Sequence, residues 1–235
     1  MIDAVALPSL PFDAQAALLF VEGGLMLHYR TASTGVAVKP LALEAVRAAF
    51  SRLPVDSGWL PPEVQRCGLT EHGPFAIAAF PAGRYRLQLL LPEKKQARRI
   101  ELPLPPMVMM GRDREYMAWA LLDAFGPEAR LAHAPLPNVH GGFGAGLAIC
   151  WGANTPPTAT PAGIVEAWRL FVRTPFNDHL VAGKSRAYSE DVRLALVAAT
   201  ASEYYPLDDL VPLGMTLSQA IKRFLGLDSE PLESR

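Results

Sequence analysis

The segment best suited to chemistry is residues 137–152, which reads PNVHGGFGAGLAICWG. Four of its glycines fall within six positions, and glycine lets the backbone pass close to another group. The segment also holds one cysteine, Cys150, with Asn138 and His140 upstream of it. A thiol, an amide and an imidazole in this setting are suited to binding an anion, holding a metal ion or carrying out nucleophilic catalysis.

The spacing gives little support to a phosphate site or a metal site. No Lys-Ser or Lys-Thr pair follows the glycines, and they neither follow a clear strand nor open a clear helix. Cys150, His140 and His133 could converge on a metal ion, but they lack a paired ligand spacing, and Cys67 is far away in sequence. We therefore expect no metal ion and no bound cofactor.

The nucleophilic interpretation makes Cys150 the reactive group. The thiolate is the reactive form of cysteine, and a polar, glycine-rich neighbour could leave its sulfur accessible. Asn138 would then donate an amide hydrogen bond to a developing oxyanion. The alternative is structural, because a lone cysteine after Leu-Ala-Ile is more often a small buried apolar residue. Composition alone favours this alternative.

A family resemblance favours the reactive cysteine. Pro137-Asn138-Val139, a glycine-containing spacer and Ile149-Cys150 resemble the active-site stretch of ubiquitin-conjugating enzymes, where a His-Pro-Asn turn precedes the acceptor cysteine. The chain resembles in particular the prokaryotic ubiquitin-conjugating-enzyme-like family D. Leu136 stands in place of the histidine, and Asn138 lies 12 positions before Cys150, several more than in eukaryotic relatives. Other resembling segments follow in matching order, over roughly residues 57–180: 57–62, 102–108, 116–120, 168–172 and 174–179.

The resemblance implies that the chain is a thioester carrier. Cys150 would accept the C-terminal glycyl group of a ubiquitin-like protein from an adenylating activating enzyme, then pass it to an amine on a protein target. Asn138 would stabilise the oxyanion in both steps. His140 is a candidate base for the incoming amine, because histidine titrates near neutral pH, and a solvated loop histidine is its alternative. ATP belongs to the activating enzyme, so no cofactor is expected.

Two other functions are compatible with these residues. The first is a binding module on the same fold, in which Cys150 is inert and the surface recruits a modifier or target. The second is a small cysteine hydrolase that uses Cys150 and His140, although the sequence shows neither an orienting third group nor a substrate pocket.

Proteins that this chain resembles occur in bacterial operons, some linked to plasmids and some to antiphage defence.

The elements that must position this segment are predicted from apolar patterns and turn signals. Three hairpins are predicted: 17–21 with 25–29, 75–80 with 85–91, and 107–110 with 116–122. Residues 123–161 show little periodicity and predict a long irregular stretch. Helices are predicted over 43–53, after an N-cap at Thr160, near Ser189, and from Thr216 to Gly226.

Strands in the first part and helices in the second predict an α+β fold. With the resemblance, this becomes a ubiquitin-conjugating-enzyme-like antiparallel sheet flanked by helices. We expect residues 1–56 to form an N-terminal hairpin and helix that pack on a core of residues 57–235, which includes the C-terminal helices.

Composition narrows the function classes further. The chain has 22 basic and 23 acidic residues among 235, and this balance argues against nucleic acid or an anionic membrane as the main partner. The longest apolar runs fall well short of the roughly 20 residues that a membrane-spanning helix needs. Asp3 interrupts a weakly apolar start, so no signal peptide is expected. With only two cysteines, 83 positions apart, we expect reduced thiols and a cytoplasmic protein.

Overall fold

The computed structural model describes residues 15–21, 24–31, 35–46, 58–92, 94, 96–140 and 148–226. Its elements are antiparallel sheets with a few helices, so the predicted α+β class is confirmed. The chain divides into two compact units, Met1–Gly58 and Trp59–Arg235. The packing of residues 1–56 on the rest of the chain stays a prediction.

The first unit contains a three-stranded antiparallel sheet. Its strands are β1 (Ala16–Val21), β2 (Gly24–Thr31) and β3 (Gly35–Leu41), in that order. Val21 pairs with Gly24, which confirms the first predicted hairpin. Residues 43–46 are helical, and the rest of the predicted 43–53 helix lies outside the described residues.

The second unit contains nine strands and three helices among its described residues. The strands are β4 (Val64–Thr70), β5 (Gly73–Phe80), β6 (Gly83–Leu89), β7 (Arg98–Leu104), β8 (Met107–Arg112), β9 (Glu115–Leu121), β10 (Arg130–His133), β11 (Pro175–Phe176) and β12 (Pro212–Thr216). The helices are α1 (Pro161–Arg173), α2 (Val192–Ala199) and α3 (Leu217–Leu225). Six strands form one antiparallel sheet in the order β12-β10-β9-β8-β5-β4. A smaller sheet has the order β11-β6-β7.

The second predicted hairpin is wrong, because β5 and β6 do not pair with each other. Instead β5 pairs with β8 and β6 pairs with β7, in one continuous register that runs from Phe80 opposite Met107 to Gly83 opposite Leu104. Three prolines (Pro81, Pro105 and Pro106) lie at the interruption. Proline has no N–H to donate, so the ladder breaks there and one long ribbon becomes parts of two sheets.

The third predicted hairpin, β8 with β9, is confirmed. Six of the described strands were not predicted: β3, β4, β7, β10, β11 and β12. β4 is an edge strand of mainly exposed residues and carries little apolar signal. β10 has only four residues and lies inside the stretch 123–161 that was expected to be irregular, and it pairs with β12. The described strands fall into three sheets.

Both faces of the six-stranded sheet are buried. One face packs Ala76, Met109 and Tyr116 into a core that includes Trp168 and Phe171 of α1. The other face packs a second core against α3, with these members among others: Ile77, Met110, Trp119, Ile221 and Phe224. Successive strand residues point to opposite faces, so strands covered on both sides read as continuous apolar runs. This explains the apolar stretches over residues 107–110 and 116–122.

The predicted helix signals are largely confirmed. Thr160 caps α1 by accepting a hydrogen bond from the Gly163 N–H. A capping box between Thr216 and Gln219 opens α3, which ends at Gly226 in a left-handed conformation. The start of α2 differs from the prediction. Its N-cap is Asp191 rather than Ser189, because the Asp191 carboxylate accepts from the Arg193 N–H and also binds the Arg193 guanidinium.

Gly111→Ala tests the packing on the α1 face of the sheet. An added Cβ would lie 2.5 Å from the Tyr116 ring and 2.7 Å from the Ala159 side chain. We expect a loss of about 1–3 kcal/mol in the free energy of unfolding, measured by urea denaturation. Gly83→Ala is the matched control, because Gly83 also lies in a strand and its added Cβ meets no atom nearer than 4.0 Å. Equal stabilities for the two variants would contradict this packing.

Candidate functional site

The segment that leads into the site is residues 134–139, directly after β10. All six residues are buried, yet they form neither helix nor strand. Pro135 and Pro137 lack an N–H, and the Leu136 N–H donates to the Ala134 carbonyl within a tight turn (2.7 Å). Buried backbone carbonyls need donors, and in this segment the donors must come from elsewhere in the chain.

Lys184 supplies those donors. Its Nζ donates to the Leu136 carbonyl at 2.7 Å and also to the Val139 carbonyl. The Lys184 side chain is almost completely enclosed, because the residue is only 3% exposed. The two accepting carbonyls lie on either side of Asn138, so the lysine binds the Asn138 turn from within the protein.

Asn138 sits at the centre of this turn in the left-handed conformation, with φ of 61°. Asparagine adopts this region more readily than most other residues with a side chain. Its N–H donates to the His179 carbonyl (2.9 Å), and the residue is 6% exposed. Its Oδ1 is buried and has no hydrogen-bond partner among the described residues. The described residues thus hold the Asn138 backbone through its N–H and leave its side-chain oxygen without a partner.

Cys150 lies beside Asn138. The Cys150 N–H donates to the Asn138 carbonyl at 2.8 Å, so the structure brings these two predicted residues together despite their separation in sequence. Cys150 is half-buried and its thiol is free. The preceding residue, Ile149, donates its N–H to the Tyr116 carbonyl on β9 (2.8 Å).

Aromatic packing fixes the cysteine segment on the sheet and on α1. The Tyr116 hydroxyl donates to the Pro157 carbonyl (2.9 Å), and the Tyr116 ring meets Trp151 edge to face, with ring centroids 5.5 Å apart. Trp151 also packs against Phe171 of α1, at 5.9 Å between centroids. Burial raises the pKa of Tyr116 well above its ordinary value, so its hydroxyl stays protonated and continues to donate.

Comparison with known protein families matches residues 41–213 to Prokaryotic E2 family D, which is more than half of the chain. The chain belongs to this family. The predicted family assignment is thus confirmed, and family D membership indicates a conjugating type of role, with ubiquitin-like proteins and other proteins as partners. No curated protein and no solved structure matches the chain.

Among the described residues, none of the helices combines the length and apolar character needed to span a bilayer.

Two histidines of this family D chain, His140 and His179, lie close to Asn138 along the chain or in the fold. His140 is half-buried at the end of a described stretch, and its ring makes no hydrogen bond or ion pair with described residues. His179 contributes its carbonyl to Asn138, while the side chains of Asp178 and His179 are exposed. The glycine-rich residues 141–147 lie outside the described residues, and so does any phosphate cradle they would form.

His133 and Lys184 share one buried electrostatic environment. Burial lowers the pKa of Lys184 to about 7, and no carboxylate pairs with it among the described residues. Burial also lowers the pKa of His133, and the nearby positive charge of Lys184 lowers it further. The His133 Nδ1 is buried and has no hydrogen-bond partner among the described residues.

Across the described parts of the chain, no group of three or more His, Cys, Asp or Glu residues is arranged to hold a metal ion.

Lys184 was not singled out from the sequence. It lies in a loop between Gly183 and Ser185, and nothing in its spacing distinguishes it from an exposed lysine. Cys67 lies on β4 opposite Ala76, half-buried and packed against the core, as a structural cysteine would be.

The lowered pKa of Lys184 predicts how stability depends on pH. Between about pH 7 and the ordinary value of 10.5, the unfolded chain holds this proton while the folded protein has released it. Stability therefore rises as the pH increases through this range. We expect the melting temperature of the wild-type protein to increase from about pH 7 to about pH 9.5, and that of Lys184→Met to stay nearly constant. Circular dichroism measures both, and equal slopes would contradict the assignment.

Proposed function

We propose that this chain accepts a ubiquitin-like protein as a thioester on Cys150 and transfers it to an amine on a target protein. The observation that carries the proposal is the hydrogen bond from the Cys150 N–H to the Asn138 carbonyl. The bond joins the backbone of a free cysteine to the backbone of a buried asparagine in a member of family D. A nucleophile beside an oxyanion donor is the arrangement that acyl transfer requires.

In the first step the Cys150 thiolate attacks the thioester carbonyl between the modifier's C-terminal glycine and the activating enzyme. A new carbon–sulfur bond forms at Cys150, the old one breaks, and the activating enzyme's cysteine leaves as a thiolate. The chain needs no nucleotide for this exchange, because one thioester replaces another. Activation by ATP takes place on the activating enzyme.

In the second step a target amine attacks the Cys150 thioester. A carbon–nitrogen bond forms, the carbon–sulfur bond breaks, and the amine gives up a proton as Cys150 leaves as a thiolate. Both steps pass through a tetrahedral oxyanion, and we assign the Asn138 amide the role of donating to it. His140 follows the turn by two residues, and we assign it the role of accepting the amine proton.

The wider setting of the proposal is the bacterial cytoplasm, with defence against phage as its use. The family match supports a prokaryotic origin, and the resemblance to proteins of bacterial operons supports the use in defence. A strain carrying Cys150→Ala should lose protection in a plaque assay if conjugation is used for defence. Protection equal to that of the wild-type strain would remove defence from the proposal.

Substitution of the two cysteines tests the acceptor. With the activating enzyme and ubiquitin-like protein of the same genome, the wild-type chain should form an adduct that thiols remove. Cys150→Ala should abolish the adduct, and Cys150→Ser should give one that resists thiols, because an oxygen ester replaces the thioester. Non-reducing gels measure all three.

Cys67→Ala is the matched control, because Cys67 is the other free cysteine and is also half-buried. It should form the adduct at the wild-type rate. An adduct that survives Cys150→Ala would overturn the proposal. Peptide or ester hydrolysis by the chain without any partner would favour a cysteine hydrolase instead, and a Cys150 that resists iodoacetamide would favour a binding module.

Substitution of Asn138 tests the oxyanion donor. Asn138→Gly keeps access to the left-handed backbone and removes the amide, so it should slow transfer from a glycyl peptide thioester on Cys150 to free lysine by about 10²–10³-fold. Asn138→Asp keeps the side-chain shape but replaces the donor with an acceptor, and it should be at least as slow. Urea denaturation serves as the control for folding. Transfer at the wild-type rate by folded Asn138→Gly would exclude this role.

A further inference from the structure

Hydrogen bonds that do not involve the candidate site hold the loop between β11 and α2 in its conformation. The Gly183 N–H donates to the Ser189 carbonyl, and the Val192 N–H donates to the Val181 carbonyl. The Ser185 hydroxyl donates to the Asp209 carboxylate at 2.8 Å. These bonds fix the backbone on both sides of Lys184.

This loop holds the Asn138 turn at three points. The His179 carbonyl accepts from the Asn138 N–H, and Lys184 donates to the carbonyls of Leu136 and Val139. A fourth bond, from the Cys150 N–H to the Asn138 carbonyl, joins the cysteine to the same turn. The position of Cys150 relative to the Asn138 side chain therefore depends on contacts that Lys184 makes.

The turn needs such support because its conformation is not intrinsically stable. A non-glycine residue in the left-handed region persists when its surroundings determine it from several sides. Leu136 and Val139 are themselves buried, so without Lys184 their carbonyls would lose their described donors. Lysine suits this position because one nitrogen on a long stem can donate to two carbonyls at once.

We propose that Lys184 is a positioning residue for the candidate site, which fixes the Asn138 turn and through it the alignment of Cys150 with the Asn138 amide. Lys184 is enclosed by protein, so it acts through the turn and does not touch substrate. His133, at the end of β10, is the titratable group whose pKa responds to the lysine's charge. The consequence for transfer rests on the proposed function, whereas the effect on the turn does not.

The first measurement reads the turn without any partner protein. Lys184→Met removes both hydrogen bonds and keeps most of the length of the side chain. Amide hydrogen exchange at Asn138 and Cys150, followed by NMR, should become about tenfold or more faster, because two buried carbonyls lose their donors. Ser185→Ala is the matched control, since it weakens the same loop at Asp209 and leaves the Lys184 contacts in place. It should change exchange at these two amides by less than about threefold.

The second measurement reads transfer from a glycyl peptide thioester on Cys150 to free lysine. Lys184→Met should slow transfer about tenfold in the wild-type background and less than about twofold in the Asn138→Gly background. The second loss is smaller because Lys184 acts through the Asn138 amide, which Asn138→Gly has already removed. A merely structural role would give equal losses in both backgrounds.

Three outcomes would overturn the inference: unchanged exchange at Asn138 and Cys150, an equal effect of Ser185→Ala, or equal losses of transfer in both backgrounds. If Lys184→Met does not fold, Lys184→Gln takes its place in both measurements, because its polar end is better tolerated while its nitrogen, one atom nearer the backbone, falls short of the two carbonyls, and the same outcomes decide. If the wild-type protein carries no thioester at all, the proposed function fails, and the exchange measurement still tests the positioning role.

Discussion

The hydrogen bond between the Cys150 N–H and the Asn138 carbonyl is the contact on which the candidate site depends. It joins two residues that are 12 positions apart and holds the cysteine backbone against the Asn138 turn. Asn138 accepts this bond while its backbone is in the left-handed conformation. The sheet, α1 and the loop before α2 each hold either the cysteine or the asparagine in position.

The sheet and α1 support the cysteine side. Tyr116 on β9 binds the Ile149 N–H through its carbonyl, and its ring packs against Trp151 just beyond the cysteine. Gly111, opposite Tyr116 on β8, leaves the space that this ring occupies. The loop before α2 supports the asparagine side through His179 and Lys184. The thiol itself remains only half-buried, so the support comes from behind it.

Much of the fold was predictable where a signal is local. The caps at Thr160 and Thr216, and the hairpin between β8 and β9, depend on residues close in sequence, and all three are confirmed. The predicted β5–β6 hairpin was wrong. Pro81 gives a turn signal there, but the strands that pair with β5 and β6 are β8 and β7, further along the chain. Asn138 and Cys150 were found by resemblance, whereas Lys184 was not. The two carbonyls it binds become its neighbours only after folding, so its role leaves no trace in sequence spacing.

Mass spectrometry of the loaded protein shows whether Cys150 carries an acyl group. The chain is incubated with ATP and with the activating enzyme and ubiquitin-like protein of its own genome, then digested without reducing agent. We expect a modifier-derived C-terminal glycyl group on the peptide that contains Cys150, released by a thiol. A modifier found on Cys67 or on a lysine while Cys150 stays unmodified throughout the time course would contradict it.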